Sequence, residues 1–189
     1  MKKRLILVGK SAAGKDHARK VCEQWFNMPY AISYTTRPPR DEETDGKDYY
    51  FISKELFEEM ISDDVWYEWV MFNGWYYGTT NEQMEKTRQV FIMTPHGLSH
   101  LSEKDRNESL VVYLDIDEEI RKVRMYERGG NDDSVDRRLQ ADILDFLGFM
   151  NYDVKITDPY YKISIFANPI QKWFSPYLTD YEKSILFKN

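Results

Sequence analysis

The feature that most constrains the fold lies at the start of the chain. Leu5-Ile6-Leu7-Val8 is an unbroken apolar run, followed at once by Gly9-Lys10-Ser11-Ala12-Ala13-Gly14-Lys15. The run reads as a buried strand of a parallel sheet. The residues after it match Gly-x-x-x-x-Gly-Lys, and the pattern beyond predicts a helix from Lys15 to about Phe26. Small residues let the backbone curl until its N–H groups point inward at phosphate oxygens. The helix N-terminus adds its positive dipole end, and Lys15 supplies a mobile cation for the outer phosphates of a nucleotide. Gly9, Lys10, Ser11, Ala12, Ala13, Gly14, Lys15 and Asp16 are thus candidate nucleotide-binding residues. The position after Lys15 is usually Ser or Thr, whose hydroxyl binds Mg²⁺. Asp16 stands there instead. Its carboxylate is either a hard oxygen ligand for the metal or simply favourable in a first helical turn.

Further along, Tyr30 to Tyr34 reads as a short strand, and Val90 to Met93 and Leu110 to Leu114 as buried strands. Ile163 to Phe166 is a last strand candidate, and the C-terminal tail reads as helical. Ile120 and Val123 mark an apolar helix stripe between Asp117 and Arg128. Val135, Leu139, Ile143, Phe146 and Met150 mark another. Strands alternating with helices imply an α/β core on a parallel sheet of about five strands. Tyr49 to Gly78 is rich in aromatic residues and reads as a small α+β insert, most of whose rings serve packing. The expected division is a core of 1–32 and 90–189 with an insert at 33–89.

The length, 189 residues, allows one sizeable core and not two full independent domains. A net charge of -6 argues against non-specific binding to nucleic acid or to a membrane surface. Cys22 is the only cysteine, which excludes an internal disulfide and fits a reducing compartment. Lys2-Lys3-Arg4 before Leu5 to Val8 imitates a signal peptide, but the apolar run stops at Gly9, short of the roughly 7–15 residues of an h-region. No run approaches the roughly 20 apolar residues of a membrane span. The expectation is a cytoplasmic protein. The sequence does not determine its oligomeric state.

Arg37-Pro38-Pro39-Arg40 suggests an anion site. Two prolines favour an extended polyproline path with three residues per turn, which puts both arginines on one side, roughly 9 Å apart. Their side chains can converge on one phosphate. The segment around them resembles guanylate kinase. Ser33-Tyr34-Thr35-Thr36-Arg37-Pro38-Pro39-Arg40 is followed by an acidic loop and Asp45-Gly46-Lys47-Asp48-Tyr49. The likeness continues in Phe51-Ile52-Ser53, Glu68-Trp69 and Gly74-Trp75-Tyr76-Tyr77-Gly78-Thr79. It extends from Leu5 to about Asn168, with gaps after Thr80.

The resemblance implies a P-loop NTPase fold, a three-layer core with a small acceptor-binding insert and a short helical lid at about 124–134. It implies transfer of the terminal phosphate of ATP to GMP or dGMP, in line and without a covalent intermediate, with Mg²⁺ bound alongside ATP. Arg37, Arg40, Tyr49 and Tyr77 would hold the GMP phosphate. Ser33, Glu68 and Thr79 would read the guanine edge. An ionised Glu68 suits that edge, since a carboxylate accepts two N–H groups. Arg121, Arg124 and Arg128 fall at i, i+3 and i+7 on one helix face, and Gly129-Gly130 ends that helix. The resemblance makes Arg124, Arg128 and Arg138 catalytic beside Lys15, and sets Asn168 near the adenine.

Two features depart from the pattern. The family's Asp-x-Asp motif falls at Ile92-Met93-Thr94, where both aspartates are absent, so Thr94 stands at the base site. Asp115-Ile116-Asp117 imitates the motif one strand too late. His96 and His100 are four apart but lack a third ligand at zinc-like spacing. Two alternatives remain open. One is a ribose bisphosphate kinase of the same fold, against which Arg37, Arg40, Tyr49 and Glu68 argue. The other is an inactive guanylate-kinase-like interaction module, against which the intact Gly14-Lys15 argues.

Overall fold

The computed structural model describes residues 3–72, 74–127, 134–161 and 165–166. The elements run β1 (Arg4–Gly9), α1 (Lys15–Phe26), β2 (Tyr34–Thr35), β3 (Tyr50–Phe51), α2 (Lys54–Ser62), β4 (Trp66–Phe72) and β5 (Trp75–Thr80). They continue with α3 (Asn81–Glu85), β6 (Gln89–Ile92), α4 (Pro95–Ser99), α5 (Glu103–Asn107), β7 (Ser109–Leu114), α6 (Glu118–Glu127), α7 (Val135–Asp145) and β8 (Val154–Ile156).

The first sheet is parallel, in the order β6-β1-β7-β8. With a neighbour on each edge and a layer on each face, Leu5, Ile6, Leu7 and Val8 are all 0 % exposed. Their side chains alternate between two clusters. Leu5 and Leu7 pack with Ala18, Val21, Cys22 and Phe26 of α1. Ile6 and Val8 pack with Met84 of α3 and Leu98 of α4. Helices on both faces make this a three-layer α/β core, and β1 delivers the phosphate loop from its centre.

Sequence and structure differ at three places. About five strands were expected, and four are assigned among the described residues. Tyr30 adds a single parallel bridge to Val90 beyond β6. Pairing stops there because the chain turns away, and Tyr34 and Thr35 pair with Gly78 and Tyr77 of β5 instead. Among the described residues the last strand is Val154–Ile156; of the expected strand Ile163 to Phe166, Ile165 and Phe166 are helical and 163–164 lie outside the described residues. The Asp153 carboxylate accepts Val111 N at 2.7 Å, which starts β8 alongside β7. On α7, Leu139 is buried, but Ile143 and Met150 of the expected stripe are 56 % and 75 % exposed. The buried neighbour of Leu139 on that face is Asp142. The tail expected to be helical lies, beyond Phe166, outside the described residues.

The second sheet has the order β3-β2-β5-β4 and carries Glu68, Tyr77 and Thr79, three of the residues expected on the acceptor side. Phe57 of α2 stacks on Trp66 at 4.1 Å and on Tyr76 at 4.9 Å between ring centres. A Cβ at Gly78 would lie 2.7 Å from the Trp66 ring, so glycine permits this stack.

Candidate active site

The phosphate loop joins β1 to α1, and its curl needs backbone that most residues avoid. Ala12 and Gly14 have φ of +57° and +99°. A Cβ at Gly9 would lie 3.0 Å from Leu114 O, so glycine also lets the loop leave the sheet beside β7. The Lys15 ammonium donates to Gly9 O and, at 3.0 Å, to Lys10 O, which folds it over its own loop. Asp16 lines the same cleft, and its carboxylate lies 3.4 Å from Arg19 Nε.

The outer arc of the loop is gripped from α6 and α7. Arg121 Nη1 donates to Ser11 O at 3.3 Å, and Arg124 Nη1 to Ala12 O at 3.2 Å. The Asp142 carboxylate accepts Ser11 N at 3.0 Å and Ser11 Oγ at 3.1 Å. Arg121 was expected to share one helix face with Arg124 and Arg128. It is 2 % exposed and donates to Asp142 at 2.9 Å and to Ile116 O at 3.0 Å. The spacing put it on the right helix but could not show that α7 would supply a buried counter-charge. Arg124 also donates to Pro159 O at 2.9 Å and lines a second cavity with Gly14, His17, Glu127 and Tyr161. Arg138 lines the main cleft. Arg128, Asn168 and most of the expected lid, 128–133, lie outside the described residues.

That main cleft is continuous. It runs from Gly9 and Ser11 through Lys15, past Arg40, Tyr49 and Tyr77, to Ser33, Glu68 and Thr94. Two expected acceptor residues stand behind its wall: Arg37 is 8 % exposed and Thr79 is 1 % exposed. Arg37 and Arg40 converge as their spacing predicts, on the carboxylate of Glu43. Arg37 Nη2 lies 2.8 Å from both oxygens and Arg40 Nη1 lies 3.3 Å from one. The Arg37 guanidinium also lies 5.5 Å from the centre of the Tyr49 ring. Burial pushes the Tyr49 hydroxyl well above its ordinary range.

At the far end, Glu68 is 6 % exposed on β4. Burial pushes its carboxyl up to about 7, although a hydrogen bond from Thr79 favours the ionised form. The Thr94 hydroxyl accepts Gly97 N at 3.0 Å and so caps α4. A Cβ at Gly97 would lie 2.7 Å from Glu68 Oε2, so that glycine keeps the carboxylate's place open. Sequence reading missed Gly97, Glu43 and Asp142. A glycine inside a short helix after Thr-Pro was the available signal for the first, and an acidic residue on an apolar helix stripe for the last. Asp115 is ion-paired with Lys155 at 2.6 Å and does not line this cleft. His96 and His100 are in ring contact, but no group of three or more potential metal ligands occurs among the described residues.

The profile of the guanylate kinase family matches residues 1–134. The guanylate kinase of Aster yellows witches'-broom phytoplasma (strain AYWB) is 37 % identical over 117 residues, 58 % of this chain and 56 % of that protein. The chain thus spans little more than half the length of this phytoplasma relative. The guanylate kinase of Latilactobacillus sakei is 31 % identical over 162 residues, 82 % of this chain and 80 % of the relative. The crystal structure of guanylate kinase from Anaplasma phagocytophilum has a TM-score of 0.67 at 22 % identity, covering 96 % of this chain and 88 % of that one, which supports the same fold. By its matched profile and these relatives, the chain belongs to the guanylate kinase family.

Proposed function

We propose that this protein transfers the terminal phosphoryl group of ATP to GMP or dGMP. The observation that carries this reading is the single cleft joining the phosphate loop to Arg40, Tyr49, Tyr77 and Glu68. A donor phosphate at Lys15 and an acceptor phosphate at Arg40 would then meet in one space, with no protein nucleophile required between them. Positioning and electrostatics carry such a reaction. Lys15 would leave Gly9 O and Lys10 O to meet the ATP phosphates, and Arg138 would balance charge on the group in transit. Arg37, Arg40, Tyr49 and Tyr77 would hold the acceptor phosphate. Glu68, once ionised, would accept guanine N1–H and N2–H, with Ser33 and Thr79 beside it. The second cavity, against Arg124 and Tyr161, offers the adenosine a place on the other side of the loop.

Asp16 fits a divalent cation in part. Its carboxylate lines the cleft next to Lys15 and its side chain is 54 % exposed, so one hard oxygen is available. The other ligands would come from ATP oxygens and water. Mg²⁺ held there would neutralise charge on the ATP phosphates.

No helix among the described residues is long and apolar enough to cross a membrane. The reading places the protein in the cytoplasm, where ATP is available and buried Cys22 would stay reduced. A coupled assay of ATP consumption over GMP, dGMP, AMP and ribose bisphosphate tests it. GMP or dGMP should give the highest kcat/KM. A higher value for ribose bisphosphate, or no turnover with any acceptor, would overturn it.

A further inference from the structure

The phosphate loop is held by a carboxylate from a distant part of the chain. Asp142 is 2 % exposed, and it is the only buried charged residue of α7 among the described residues. Both of its oxygens lie 3.0 Å from Ser11 N, and one accepts Ser11 Oγ. Arg121 faces it at 2.9 Å, the two side chains being 2 % and 3 % exposed. Arg121 also donates to Ser11 O, so this pair holds Ser11 at its amide, hydroxyl and carbonyl.

We propose that Asp142 is a positioning residue that locks the phosphate loop to α7, and so sets Arg138 and the loop amides in register for ATP. This rests on the kinase reading above. Asp142 and Arg138 are four residues apart on one helix and therefore share a face. Both line the cleft with Ser11 and Lys15. A joint at Asp142 thus fixes, through one turn of helix, where the Arg138 side chain starts relative to the loop. The joint also answers a problem of the loop itself. Inward-pointing N–H groups form a positive concavity that favours an anion, and the Asp142 carboxylate supplies a fixed one at its rim, on Ser11 N.

The carboxylate could instead be a latch that ATP must displace. The surroundings argue against that. Release would strand the Arg121 cation in a site with almost no solvent, which is a heavy penalty. Arg121 is further tied to Ile116 O at 3.0 Å, so it cannot follow the moving carboxylate.

The double variant removes the carboxylate without leaving a buried charge. Arg121→Met with Asp142→Leu replaces the ion pair by apolar side chains of similar bulk, an exchange that often preserves stability. Asp142→Asn alone keeps the shape and an acceptor for Ser11 N. Equilibrium binding of ATP, kcat, KM for GMP and the melting temperature are measured for both variants and the native protein. For the double variant we expect a melting temperature within a few degrees of native, ATP bound on the order of tenfold more weakly, kcat reduced, and KM for GMP unchanged. Its loss in kcat should add little to that of Arg138→Ala. Asp142→Asn should weaken ATP binding by a smaller factor. Native ATP binding and kcat in either folded variant would overturn the proposal, and so would tighter ATP binding in Asp142→Asn, the mark of a displaced latch. Failure of the kinase reading is seen separately, as absence of ATP binding or of turnover in the native protein.

Discussion

Arg37 and Glu43 form a forked ion pair, with Arg37 Nη2 2.8 Å from each carboxylate oxygen, and Arg40 closes on the same group both through its backbone N–H at 2.9 Å and through Nη1 at 3.3 Å. One carboxylate thus sets the directions of two guanidinium groups whose like charges would otherwise push them apart. Arg37 is held from behind the cleft wall, while Arg40 faces the cleft. Glu43→Ala should leave both arginines mobile. We expect KM for GMP to rise about tenfold, equivalent to about 1.4 kcal/mol, with kcat little changed. Steady-state kinetics with GMP varied will check this. An unchanged or lower KM would mean that Glu43 competes with the acceptor phosphate instead of preparing its site.

Lys15 stands at the other end of the cleft and makes its hydrogen bonds to the carbonyls of its own loop. Its charge is expected to meet the ATP phosphates and not GMP. Lys15→Ala should therefore lower kcat by at least a hundredfold, on the scale of removing one transition-state donor, roughly 2.7–4 kcal/mol. Binding of GMP, followed by titration without ATP, should be close to native. Turnover near the native rate would remove the phosphate loop from the reaction.

On the proposed reading, Glu68 should make guanine recognition depend on pH. Burial raises its carboxyl from 4.5 to about 7, whereas guanine N1–H and N2–H require the ionised form. As pH falls below about 7, kcat/KM for GMP should fall by about tenfold per unit through this group. The GMP phosphate titrates near 6 as well, so the profile is compared with that of Glu68→Gln, which keeps only the phosphate contribution. Stability moves with the same group. The unfolded chain releases the Glu68 proton near 4.5 and the folded chain near 7, so between these values the folded state holds more protons. Folding stability should thus decrease as pH rises through that window, and Glu68→Gln should flatten the slope in denaturant titrations at pH 5 and pH 7. Parallel profiles in the two proteins would show that Glu68 does not titrate in this range.

On the proposed reading, Thr94 should govern how strictly the base is read. Its hydroxyl already accepts Gly97 N at 3.0 Å, which leaves one neutral lone pair for the guanine N2 amine. Discrimination between GMP and IMP, which lacks that amine, should be weak for this family. Thr94→Asp keeps a good helix cap and adds a second oxygen free to face the base. We expect the ratio of kcat/KM for GMP over IMP to rise about tenfold, a carboxylate acceptor being worth about 1 kcal/mol or more over a hydroxyl. No change in that ratio would place the N2 amine away from Thr94.

Much of this site was legible in the sequence because its chemistry depends on local spacing. The apolar run Leu5 to Val8 and the Gly-Lys loop after it specify a buried strand, a tight turn and a helix whatever surrounds them. Arg37 and Arg40 lie one polyproline turn apart, and they do close on one carboxylate. What spacing could not reveal is which element would come to rest against these pieces. Tyr30 starts a fifth strand for one residue only, because pairing with β5 takes the next residues away. Arg121 has the periodicity of a solvent-facing lid arginine and is buried, because α7 folds back to offer Asp142. Gly97 appears unremarkable until Glu68, from another sheet, occupies the space a side chain would need. Short-range sequence determines backbone conformation, since propensity and periodicity act within a turn or two. Long-range packing decides which charges are desolvated together, because burial and counter-charge arise only when distant segments meet. That is why the sequence alone determined the phosphate loop and the arginine pair, while the tertiary structure decided the elevated Glu68 carboxyl, the occupied Thr94 hydroxyl and the Asp142 joint.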